Sequence, residues 1–162
     1  MQYDLPALYE DVQISFDGGS EEDRRGVLEI YRIYMEANDI MDYDLLCTVW
    51  DGGPDNLFFN TNGYSYDGLK DWQNIWDFYR PQFKLLSEYG PGRLHVTIRG
   101  DMACIAADSI ARHKDWVGGS LHHNPPFYRA TKVLVRQGAA WKVVHAHFSV
   151  QGEGARPDKA QA

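Results

Sequence analysis

Two periodicities divide the chain. Up to about residue 83 the apolar side chains recur three and four positions apart; from residue 93 onward they alternate with polar ones. Ser20-Glu-Glu-Asp23 is a helix start, a hydroxyl N-cap followed by acids that oppose the macrodipole. Val27, Tyr31, Tyr34, Met35 and Asn38 continue it, and it should stop near Asn38-Asp39. Asp42-Tyr-Asp44-Leu-Leu predicts a short second helix, and Asn56 to Asn60 a strand closed by the Thr61-Asn62-Gly63 turn. A third helix starts near Gly68, with Leu69, Trp72, Trp76, Tyr79 and Phe83 at helical spacing until Pro81 kinks or ends it.

Four strands follow over residues 93–99, 103–113, 127–136 and 141–150, the first pair joined at Gly100-Asp101. Residues 114–126, with Gly118-Gly119 and Pro125-Pro126, read as a longer loop. Residues 1–21 read as an N-terminal arm, 22–151 as one domain, and 152–162 as a polar, disordered tail. Helices followed by a run of strands predict an α+β domain. Its curved antiparallel sheet would wrap around about three helices and leave a cone-shaped cavity between the layers.

Alternation along the last strand puts Trp141, Val143, His145, His147 and Ser149 on one face. In the strand before it, Arg129, Thr131, Val133 and Val135 lie opposite Lys132 and Arg136. Paired through the Gln137 to Ala140 turn, the two strands would gather two imidazoles, a guanidinium and two hydroxyls on one surface, which reads as a pocket wall.

Composition narrows the partners. The chain carries five Trp, ten Tyr and seven Phe, rings that serve cores and ligand pockets alike. A net charge of −7 argues against nucleic acid and anionic membranes. Cys47 and Cys104 lie far apart and read as buried free thiols of a reducing compartment. With no basic leader and no long apolar run, a cytoplasmic protein is the expectation. No dinucleotide, Walker, HExxH or GxSxG pattern occurs, so no cofactor is expected.

Four segments, in this order, resemble the nuclear transport factor 2-like superfamily and its SnoaL-like, ketosteroid isomerase and scytalone dehydratase branches. They are the first helix ending in Asn38-Asp39, Asn60 to Leu69 before a Trp-rich helix, Gly100 to Ala103, and Trp141 to Ser149. The resemblance implies a cone open at its wide end and a homodimer or homotrimer built on the sheet's outer face. It implies no single reaction.

His147 and His145 are either acid–base groups or core histidines holding sheet to helices. A metal on this pair would need His122 or His123 to complete it, and no ligand spacing supports that. Alternation leaves His95 outside, whereas the resemblance implies a pocket histidine there. For Asp39 the resemblance implies an inward carboxylate orienting a histidine; the other reading is a solvated turn residue. Arg129 pairs with Asp39 or Asp108, or binds an anionic oxygen; Asp108 and Arg112 share a strand face as a pocket ion pair or subunit contact. Tyr34, Trp50, Trp72, Trp76 and Tyr79 read as core or as walls for a flat aromatic ligand, with Asn60, Tyr64 and Thr131 as its hydrogen-bonding groups.

The functional expectation is a cofactor-independent lyase in which His147 and Asp39 move protons on a phenolic, lignin-type molecule, by dehydration or deformylation. The alternatives are an isomerase or cyclase of a polyketide or steroid, and a non-catalytic ligand-binding or association module.

Overall fold

The structure, a computed structural model, describes residues 12–85, 92–111, 114–117, 126–154 and 156–158. Helix α1, Glu21–Ile40, begins in a full capping box, with Ser20 accepting from the Asp23 N–H and Asp23 reaching back to the Ser20 N–H. It stops at Met41, which takes the left-handed conformation (φ 53°) and donates its N–H to Ala37 and Asn38. Helix α2, Tyr43–Val49, is capped by Asp42, and α3 spans Gly68–Tyr79. Pro81 then tightens the chain into a 3₁₀ turn, Arg80–Gln82, so Phe83 leaves the helical stripe and opens strand β4, Phe83–Leu85.

The main sheet has seven strands in the order β1-β5-β6-β8-β9-β2-β3. These are β1 (Gln13–Asp17), β2 (Leu57–Phe59), β3 (Ser65–Asp67), β5 (Arg93–Arg99), β6 (Met102–Ala111), β8 (Phe127–Gln137) and β9 (Ala140–Val150). The sheet is mixed rather than antiparallel: β1 runs parallel to β5, and β2 parallel to β9. The end of the expected arm is therefore a sheet strand. A second ribbon pairs β4 with β7, Lys114–Trp116, inside the stretch read as loop. Arg112, His122 and His123 lie outside the described residues.

The helices cover one face of the sheet. Val27, Leu28, Tyr31, Tyr34 and Met35 of α1 pack on Leu94, Val96, Ile105, Ala130, Leu134, Trp141 and Phe148. Gly26 makes this contact close, since a Cβ there would stand 3.1 Å from the Trp141 ring. Gly68 is needed twice over, with φ +72° and a would-be Cβ only 2.9 Å from the Gly53 carbonyl oxygen. Both cysteines are free and half-buried. Among the described residues no helix is long and apolar enough to cross a membrane.

Candidate functional site: a buried amine in an aromatic nest

One extra residue in β9 decides which side chains enter the cone. Val133 opposes His145, but the next residue, Leu134, opposes Val143, so Val144 is a bulge. Before it Trp141 and Val143 face the helices; after it Ala146 and Phe148 do. His145, His147 and Ser149 are thereby turned to the opposite face. The same parity sends Ala130, Lys132 and Leu134 of β8 inward, and Arg129 and Thr131 outward. The alternative parity would bury an imidazole and a guanidinium and expose Phe148, losing about 2 kcal/mol for that ring alone.

The expected constellation does assemble, but on the outside of the sheet. Ser15, His95, Ala106, Thr131 and His147 stand directly opposite one another across five strands. With Arg129, Ser149 and the Arg93–Asp108 ion pair they line a groove of about 600 Å³. His95 Nδ1 shares a 2.8 Å hydrogen bond with Ser15 Oγ. His145 Nδ1 donates to the Leu57 carbonyl at 2.7 Å, and Phe59 stands edge-on between His145 and His147. Asp108 is held by Arg93, and among the described residues Arg129 makes no ion pair. The readings of His147, His145, Arg129 and Thr131 as walls of the cone are corrected, since the bulge and the burial of β8 turn all four away from it; His95 lies outside as the alternation of Leu94, Val96 and Ile98 requires, not in the pocket that the resemblance implied.

Asp39 lies on the helix side of the sheet. Its near neighbour is Lys114, whose ammonium is pulled down by burial to about 7 while the Asp39 charge pushes the other way. Lys114 Nζ donates to both the backbone and side-chain oxygens of Asn38, and the Asn38 amide donates to Tyr34 Oη at 3.0 Å. Among the described residues, the charge that Asp39 is shown to act on is the Lys114 ammonium. Asn60 and Tyr64 belong to the turn between β2 and β3, where Asn60 Oδ1 accepts from Thr61 N–H and Tyr64 is 69% exposed. They do not reach the nest.

Inside the cone the rings form one connected stack. Tyr34 stacks on Trp50 (5.6 Å) and Phe148 (6.0 Å), Trp50 on Phe58 (4.7 Å), and Trp72 meets Trp50 and Phe148. Trp76 is buried on the same helix, while Tyr79 is half-buried and stacks on Phe83. Lys132 ends among these rings, 1% exposed, with Nζ 4.0 Å from the Tyr34 centroid, 4.6 Å from Tyr31 and 5.1 Å from Phe148. Among the described residues, its Nζ and the indole N–H groups of Trp50 and Trp72 are buried without a hydrogen-bond acceptor. Burial pulls the Lys132 ammonium from the ordinary 10.5 down to about 7; the three ring faces oppose this by cation–π attraction. An amine lowered to about 7 is roughly half neutral at pH 7, and that neutral fraction can accept a proton or attack an electrophile.

Sequence reasoning placed Lys132 outside and passed over Lys114. The signal for Lys132 was present: Trp141 and Val143 before residue 144, and Ala146 and Phe148 after it, cannot share a face without a bulge. Among the described residues no group of three His, Cys, Asp or Glu stands ready to hold a metal.

Residues 27–152 match the family model of the SnoaL-like domain. No curated protein sequence matches the chain. Several solved structures share its fold. A candidate dehydratase of the nuclear transport factor 2-like family from Streptomyces avermitilis is 18% identical with a TM-score of 0.63, over 81% of this chain and 97% of that one. A candidate ketosteroid isomerase from Shewanella frigidimarina is 18% identical with a TM-score of 0.58, over 75% and 92%. A nuclear transport factor 2-like protein from Pseudomonas putida is 20% identical with a TM-score of 0.59, over 84% and 92%. Identities this low establish the fold and leave the chemistry open. With the family model spanning most of its length, the chain belongs to the SnoaL-like domain family and carries the nuclear transport factor 2-like fold.

Proposed function

We propose that this chain is a cofactor-independent lyase acting on a phenolic aromatic molecule that enters the ring nest, with Lys132 carrying the proton. The observation behind this reading is the Lys132 amine, buried among rings and, among the described residues, with no acceptor of its own. A phenol satisfies both needs of the site: its ring stacks on Tyr34, Phe148 or Trp72, and its oxygen gives Nζ a partner. Lys132 takes the phenolic proton, and the ammonium–phenolate pair removes the cost of a lone buried charge. The phenolate then pushes electrons to its para position and a benzylic hydroxyl leaves. It receives the proton held by Lys132 and departs as water, and a quinone methide remains. Lys132, neutral again, then takes a side-chain proton, or the hydroxyl proton of a hydroxymethyl group as its C–C bond breaks and formaldehyde leaves, and the aromatic ring is restored as the phenolate.

His147 and Asp39 lie on opposite sides of the sheet, so the proton carrier in this scheme is Lys132 rather than a His/Asp pair. Positioned acid–base help contributes about 10²–10⁴-fold. The indole N–H groups of Trp50 and Trp72 add donors for the developing oxyanion. The two neighbours named as candidate dehydratase and isomerase are compatible with proton transfer in such a cone.

The test is turnover of para-hydroxybenzyl alcohols by the full chain and by Lys132→Met. Loss of at least 10²-fold in the variant, and no turnover of the O-methylated analogues, is the expected result. Equal turnover by both proteins, or by both substrates, refutes the scheme.

A second reading, an association module, is favoured by one observation: the rings of the nest already fill one another's faces, Trp50 and Phe58 at 4.7 Å. On that reading the outer sheet face, with Leu57, Phe59 and Met102, joins a homodimer or homotrimer. An oligomer in sedimentation with no turnover of any phenol selects it.

A further inference from the structure

We propose that Lys132 is also a covalent site, forming an imine with aromatic aldehydes and ketones that enter the nest. This rests on reading the ring nest as a ligand site and adds a second chemistry to it. Imine formation requires an amine with a free lone pair, an aromatic slot beside it, and donors that polarise the carbonyl.

The site carries the first and the third, and an aryl group would make the second by parting rings that stack on one another. Among the described residues Nζ donates to no carboxylate and makes no hydrogen bond, and its contacts are the faces of Tyr34, Tyr31 and Phe148. Those same rings, with Trp72 stacked on Phe148 at 6.0 Å, are the surfaces on which an aryl group would lie. Trp50 Nε1 and Trp72 Nε1, buried donors without an acceptor among the described residues, belong to indoles 5.6 Å apart in the same stack, where a carbonyl oxygen would supply one. Desolvation by an apolar wall is one of the ways a lysine becomes a nucleophile. Here it brings the ammonium to about 7, against 10.5 for an ordinary lysine.

The step balances without a co-reactant. The Nζ lone pair attacks the carbonyl carbon, a C–N bond forms, and one amine proton moves to the oxygen to give a carbinolamine. The C–O bond then breaks, the second amine proton leaves with the hydroxyl as water, and a C=N bond joins Lys132 to the aryl group. With about 10³-fold more neutral amine at pH 7 than a solvated lysine, Lys132 should outrun exposed lysines even after its weaker basicity is allowed for.

The experiment incubates the full chain with benzaldehyde or acetophenone at pH 7, reduces with cyanoborohydride, and maps the adduct by intact mass and peptide sequencing. One adduct at Lys132, at least tenfold above Lys70, Lys84 and Lys142, is expected. Lys132→Met and Lys132→Arg should lose it while keeping their circular dichroism. Toluene, which stacks without reacting, should protect Lys132 in the unaltered chain, so the proposal is testable even if both variants misfold. Labelling at Lys114 instead, scattered labelling, or no protection overturns it. Phenol turnover that depends on Lys132 with no adduct defeats the imine and leaves the lyase standing. An adduct without phenol turnover does the reverse.

Discussion

Replacing Lys132 by Met keeps the length and most of the apolar volume of the side chain and removes the amine, which should change how stability depends on pH. In the folded chain the ammonium is lowered from 10.5 to about 7. The unfolded chain, with an ordinary lysine, therefore holds one more proton between about pH 7 and 10.5. Stability rises with pH wherever the unfolded state binds more protons, so this residue weakens the fold fully below pH 7 and not at all above 10.5. The displacement corresponds to about 5 kcal/mol at a slope approaching 1.4 kcal/mol per pH unit. Cation–π attraction to Tyr34, Tyr31 and Phe148, about 0.5–2 kcal/mol per ring, offsets part of it. With each ring at the low end of that range, the three together take back about 1.5 kcal/mol and leave a net effect of about 3 kcal/mol. Among the described residues, Tyr31 and Tyr34 are the titratable groups whose rings face the amine, and the pH 6 to 8 points carry the comparison. Lys114, also lowered to about 7, bends the curve of both proteins alike and cancels in the difference. Urea unfolding at pH 6, 7, 8 and 9 measures it. Lys132→Met should be the more stable protein at pH 6, with its advantage shrinking steadily toward pH 9. Parallel curves would refute the reasoning, because they would mean that the amine reaches water or an anion in the folded chain.

Deleting Val144 removes the bulge and forces β9 onto one parity, exposing either Trp141 and Val143 or Ala146 and Phe148. A loss of about 3–5 kcal/mol, seen as a large drop in the urea midpoint, is expected. Ser20→Ala removes the hydroxyl half of the capping box on α1 and should cost about 1 kcal/mol by the same measurement, with no change in oligomer mass.

Local chemistry made the helices legible. Ser20 and Asp42 cap the helices that follow them, Gly68 opens the third and Pro81 closes it, because each works through the backbone of its own few residues. The strands 93–99 and 127–136 were legible for the same reason, through alternation that survives without knowledge of partners. What depended on distant partners was not. Gln13–Asp17 and Lys114–Trp116 are strands only because Arg93–Arg99 and Phe83–Leu85 lie beside them. The site failed on a single residue. Reading β9 as one uninterrupted alternation put His145 and His147 with Trp141, whereas the unpaired Val144 separates them. The gathering of His147, Thr131, Arg129 and Ser149 was read correctly and its side of the sheet was not. Lys132 went unrecognised because a lysine between apolar residues ordinarily faces water.

The most direct measurement follows the Lys132 side chain by NMR, titrating the Nζ and Cε signals with and without a para-hydroxybenzyl ligand. A midpoint near 7 that rises when the phenol binds is the predicted result. A midpoint near 10.5 that ignores the ligand would contradict a buried, proton-carrying amine at the heart of the nest.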